Sequence, residues 1–117
     1  MHFLLTFYSD DAAWLALPEE RRAELGARIG AWYGTHAGAG HIIEGRRLHG
    51  RESATTVELG APGAGNAPVT RPGPFAPGAE AMGSYAVIEA PDAAAALAIA
   101  HEWPGGGSVE VRPVVAE

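Results

Sequence analysis

The sequence predicts an α+β domain: a mostly antiparallel sheet with two helices on one face. Three observations lead there. Strand-like runs stand at both ends of the chain, His2 to Tyr8 and Ser108 to Val114. Two segments with helical patterning separate them from the strands between, one opening at Pro18 and one at Asp92. The order strand, helix, strands, helix, strand suits a sheet whose helices cross back over a single face.

Taken in order, His2 to Tyr8 is aromatic and aliphatic on both faces, as an inner strand should be. Pro18, Glu19 and Glu20 open the first helix, since proline suits a first turn and acids there oppose the helix dipole, although Leu17 is a poor cap. Leu25, Ile29, Trp32 and His36 then recur at helical spacing and form one inward stripe, with Gly38 and Gly40 as stop signals. His41 to His49 reads as a second strand and Thr55 to Leu59 as a third. From Gly60 to Gly78 the chain is rich in glycine and proline, which predicts a long loop, with a short strand over Ala67 to Thr70 as its one regular piece. Ser84 to Ala90 is the next strand. Asp92 caps an alanine-rich helix running to about Trp103, and Gly105 to Gly107 lead into the last strand. This βαββ(β)βαβ order is ferredoxin-like.

Size and composition exclude much. At 117 residues the chain is a single domain. Fourteen acids against eight arginines, for a net charge of −6, leave no basic face for nucleic acid. There is no lysine, hence no Schiff-base chemistry, and no cysteine, hence no disulfide, thiolate nucleophile or sulfur-ligated metal. The cysteine-free composition, the lack of a membrane-length apolar run and a start unlike a signal peptide predict a cytoplasmic protein without a membrane partner.

Three motifs stand out: Gly73-Pro74-Phe75, the strand from Met82 to Ala90 with Tyr85 inside it, and the closing Ser108-Val109-Glu110-Val111-Arg112-Pro113. In order and spacing they resemble the YCII-related family, in particular its branch with an Asp-Gly-Pro-Phe turn, a Gly-Gly-Tyr strand and a Thr-Val-Glu-Val-Arg-Pro ending. Phe7 to Trp14 resembles the family's opening strand and the loop after it, so the likeness spans nearly the whole chain. The resemblance implies a dimeric α/β barrel, in which two protomers pack sheet on sheet and leave a cleft for a small organic molecule. Its relatives include a dehydrochlorinase, which implies cofactor-independent acid/base chemistry such as elimination, isomerisation or hydrolysis. Genes of the family often neighbour alternative sigma factors, so the resemblance equally allows a non-catalytic ligand-binding or regulatory module. The two readings stay open at this stage.

The candidate catalytic residues are His36, Asp10 and Glu80. His36 continues the inward stripe, where an imidazole serves either as a helix-end group bonded to a carbonyl or as a pocket acid or base. Asp10 corresponds to the position where some family members carry the Asp of a proposed His–Asp pair, and Glu80 matches a Glu just before the family's Gly-Gly-Tyr strand. Arg71, Phe75 and Tyr85 are the candidate ligand-binding residues: a guanidinium grips carboxylates, Phe75 is expected to bury its ring against the sheet and anchor the long loop, and Tyr85 matches the family tyrosine. Arg71-Pro72 replaces the family's Asp, so any role of that Asp is absent. Glu110 and Arg112 should share one strand face as a surface or interfacial ion pair. His36 and His41 lie five apart across a helix end, without the four-residue spacing of a helical ligand pair, and no metal or other cofactor is expected.

Overall fold

The computed structural model describes residues 1–116. Four strands form the main sheet, β1 (His2–Asp10), β2 (Ile42–Arg47), β5 (Glu80–Glu89) and β6 (Ser108–Pro113), in the order β2-β5-β1-β6. Every neighbouring pair is antiparallel. With α2 (Glu19–Gly38) and α3 (Ala93–His101) as the two crossovers, this is the ferredoxin-like α+β arrangement that the sequence predicts.

The core lies between the sheet and these helices. Phe3, Leu5 and Phe7 of β1 and Ala86 and Ile88 of β5 point to it and are buried, meeting Trp32 of α2 and Ala96 and Ile99 of α3. The alternation that buries these side chains turns Leu4, Thr6, Tyr85 and Val87 to the other face, which no helix covers. Asp92 caps α3 as predicted, accepting the Ala95 amide at 2.8 Å. Pro18 precedes α2 without any side-chain cap, so that helix opens on proline geometry and its two acids alone.

Three features depart from the sequence reading. The segment after β1 is a short helix, α1 (Asp11–Ala16), because the Asp10 carboxylate accepts the Ala13 amide at 3.0 Å and Pro18 then halts it. Strands β3 (Thr55–Glu58) and β4 (Val69–Pro72) pair only with each other, as a hairpin outside the main sheet. Arg71 and Pro72 therefore belong to a strand, two residues beyond the expected Ala67 to Thr70.

The third departure concerns Phe75. Its ring is 76% exposed, so it does not anchor the loop in this protomer's core. Arg71 holds the turn instead: its Nε donates to Glu58 at 2.6 Å, and its other nitrogens donate to the carbonyls of Pro74 and Phe75. Phe75→Ala should accordingly cost less than about 1 kcal/mol in the isolated protomer, as exposed substitutions do. A denaturation midpoint shift worth about 3 kcal/mol, typical of a buried aromatic, would contradict this placement.

The protomer is thin and spread out, 49 × 43 × 18 Å, with a radius of gyration of 16.6 Å. A compact chain of this length would have about 13 Å. Among the described residues, no helix is long and apolar enough to cross a membrane.

Candidate functional site

A cleft of about 750 Å³ opens at the end of β1, between the sheet and the helices α1 and α2. That volume is in the range of small-molecule sites. Its apolar walls include Trp14 of α1, Leu25 and Ile29 of α2, Phe7 of β1, and Trp103. Leu25 and Ile29 belong to the predicted stripe of α2, but this half of the stripe faces the cleft. Only Trp32 and His36, further along, are buried.

Asp10 and Glu80 both line the cleft and stand directly opposite each other in the β1–β5 register. Residues so paired have Cβ atoms about 5 Å apart, and two like charges there repel. Each carboxylate has a neighbour to hold it. Asp10 Oδ1 accepts the Ala13 amide at 3.0 Å, and Glu80 Oε2 accepts the Ser108 hydroxyl at 3.2 Å. These bonds occupy one oxygen of each carboxylate. Between Phe7 and Tyr8 the pairing slips by one residue at Gly83, a bulge that sets Gly83 and Ser84 into the cleft wall.

Part of the lining is polar and was not singled out from the sequence. It carries Tyr33 from α2, Arg47 from the end of β2 and the neighbouring His49. Burial raises the Tyr33 phenol above its ordinary range, so the hydroxyl stays protonated near neutral pH and can donate a hydrogen bond. Gly45 makes room for that ring, since a Cβ there would sit 3.0 Å from Tyr33 Cε1. A spacing of four, Leu25 to Ile29 to Tyr33, is the signal that could have placed Tyr33 on the cleft row instead of the core row.

The other expected residues lie elsewhere. His36 is buried but lines no part of the cleft. Its acidic partner is Glu102, at 3.2 Å from Nε2, and not Asp10 or Glu80 as expected, because the end of α3 reaches it and the end of β1 does not. Tyr85 is on the uncovered face, where its hydroxyl donates to Glu44 at 3.2 Å. Desolvation by its neighbours raises the Tyr85 phenol above its usual range, helped by the bond to and charge of Glu44 and opposed by Arg46. Arg71 is committed to Glu58 and two carbonyls, and Phe75 stands beside it. Glu110 and Arg112 do share a strand face, yet among the described residues neither enters an ion pair within the protomer. No three His, Asp or Glu side chains among the described residues are set to hold a metal ion.

The antiparallel sheet with two crossover helices makes this a small ferredoxin-like α+β protein. The chain belongs to the YCII-related domain family, whose pattern it matches over residues 1–116. No curated protein matches it.

Proposed function

We propose that this protein holds a small organic molecule in the cleft between α2 and the sheet, and that Asp10 and Glu80 move protons on it without a cofactor. The observation that carries the reading is the pairing of these two carboxylates, opposite one another across β1 and β5, on the wall of a cleft with apolar sides. Two carboxylates facing one bound molecule can take a proton, from the molecule itself in elimination or isomerisation and from an attacking water in hydrolysis, and give one to another atom. Tyr33 supplies a hydrogen-bond donor and Arg47 a positive charge for the rest of the ligand. A cysteine-free chain suits the reducing cytoplasm.

A second reading is a non-catalytic ligand-binding or regulatory module, such as one acting beside an alternative sigma factor. It is favoured by the fact that both carboxylates already carry structural bonds, Asp10 as a helix cap and Glu80 to Ser108. Hydrogen exchange separates the two. A small molecule that carries an acidic C–H and is shown by NMR to bind in the cleft should exchange that hydrogen for deuterium in heavy water, about 100-fold slower with Glu80→Gln or Asp10→Asn. Binding at unchanged strength with no exchange in the wild type would favour the second reading.

The working form in this proposal is a homodimer packed through the bare sheet face. The charges of that face support a second copy as its cover. One row across the strands runs Glu44, Val87, Leu4, Arg112, and the next runs Arg46, Tyr85, Thr6, Glu110. Acid and base thus alternate at the four corners. A partner related by a two-fold axis along or across the strands sets each Arg over a Glu. The buried Thr6 hydroxyl at the middle of this face has no hydrogen-bond partner in the protomer, a further mark of an incomplete surface. Light scattering should give twice the 12.1 kDa chain mass at micromolar protein. Monomer mass there would remove the dimer from the proposal.

A further inference from the structure

A cluster that lines no part of the cleft joins three elements. His36, near the end of α2, touches His41 just before β2 through Nδ1 to Nδ1 at 3.0 Å, with the two rings stacked. On its other side His36 Nε2 lies 3.2 Å from Glu102, just beyond α3. His36 itself is buried, 5% exposed, and packs on the Trp32 ring. The side chains that touch His36 are Trp32, His41 and Glu102, so His41 and Glu102 are the titratable groups in contact with it.

We propose that Glu102, His36 and His41 form a one-proton clamp that closes α2, β2 and α3 together and opens when a second proton binds. The Nδ1 to Nδ1 contact is a hydrogen bond only if one nitrogen carries hydrogen and the other does not. Facing a carboxylate, His36 Nε2 carries a hydrogen, which leaves neutral His36 with a bare Nδ1, and His41 Nδ1–H donates to it. A first added proton fits on His41 Nε2, and both contacts survive. A second must go to His36 Nδ1, where it meets the His41 Nδ1 hydrogen and places two imidazolium rings in a stack.

The unfolded chain accepts both protons freely, whereas the closed clamp accepts one. Acidification that protonates both rings therefore draws the balance toward the open form, and the clamp is regained as the pH rises. The backbone beside the clamp should report it. His41 N–H donates to the His36 carbonyl at 2.8 Å, and Glu89 N–H to the His41 carbonyl at 2.7 Å, tying β2 to β5. The same α2 and β2 carry Tyr33 and Arg47 to the cleft, so proton binding at the clamp would reach the cleft walls.

The test is an NMR titration of the full chain from about pH 8 to about pH 5, following the imidazole nitrogens and amide exchange together. In the wild type His36 should carry its neutral-state hydrogen on Nε2. The two rings should protonate in two separate steps, and the second step should coincide with at least a tenfold loss of protection at the amides of His41 and Glu89. In His41→Asn, whose side chain does not titrate, that loss should vanish. Protonation of both rings in one step with protection unchanged would overturn the proposal, as would the same loss in the variant. If His41→Asn does not fold, the wild-type titration still decides.

Discussion

Gly107→Ala should destabilise the fold by about 3 kcal/mol or more. Gly107 has a φ of +69°, a left-handed conformation that costs an alanine about 1 kcal/mol by itself. The larger part is steric. A Cβ on Gly107 would overlap the carbonyl oxygen of Tyr8, a backbone atom held in the sheet, and would also crowd Ser9. Relief requires β6 to move away from β1 at the point where Tyr8 and Ser108 pair. Because Gly107, Tyr8 and Ser9 all line the cleft, the same substitution should also weaken ligand binding. Chemical denaturation gives the stability directly; a loss below about 1 kcal/mol, an ordinary surface effect, would show that the Gly107 turn is more yielding than its contacts imply.

Phe7→Ala should cost about 3–5 kcal/mol. The ring is 4% exposed, with its centroid 4.2 Å from that of Trp103 and edge-on to Trp32 at 5.9 Å. Trp32 and Trp103 are themselves edge-on at 5.1 Å, so Phe7 is one corner of an aromatic cluster between α2, β1 and the segment after α3. Phe7 also forms part of the cleft wall, and the space left by alanine is continuous with the cleft. Water can enter there, which puts the expected cost toward the lower end of the range. The near-ultraviolet dichroism of the tryptophans should weaken in parallel. A cost under about 1.5 kcal/mol, as for a conservative hydrophobic exchange, would mean that the cluster repacks without the ring.

What could be read from the sequence was local or carried by family resemblance. The apolar run of β1 and the Asp92 cap of α3 follow from periodicity and capping and recur in the structure, whereas the stripe of α2 recurs in its second half only, at Trp32 and His36. Helix α1 was missed because its determinant is one side chain, Asp10, used as a cap when it had been read as a catalytic acid. The Phe75 expectation failed because aromatic character says nothing of where a turn points, and Arg71 fixes that turn through Glu58, thirteen residues away. In the site, Asp10 and Glu80 were legible as candidates from resemblance, but their opposition depends on a strand register that spans seventy residues. The same is true of His36. Its inward direction followed from helical spacing, whereas Glu102, its actual partner, arrives from the end of another helix, and no local pattern encodes that meeting.

The central claim is that the cleft between α2 and the sheet is where this protein meets its ligand, with Asp10 and Glu80 as the groups that touch it. A crystal structure after soaking with a library of small organic molecules tests it most directly. A bound molecule should lie with its apolar part against Trp103 and Tyr33 and a polar atom about 3 Å from the Asp10 or Glu80 carboxylate. Molecules that bind only at other surfaces, with affinities unchanged by Asp10→Asn and Glu80→Gln, would contradict it.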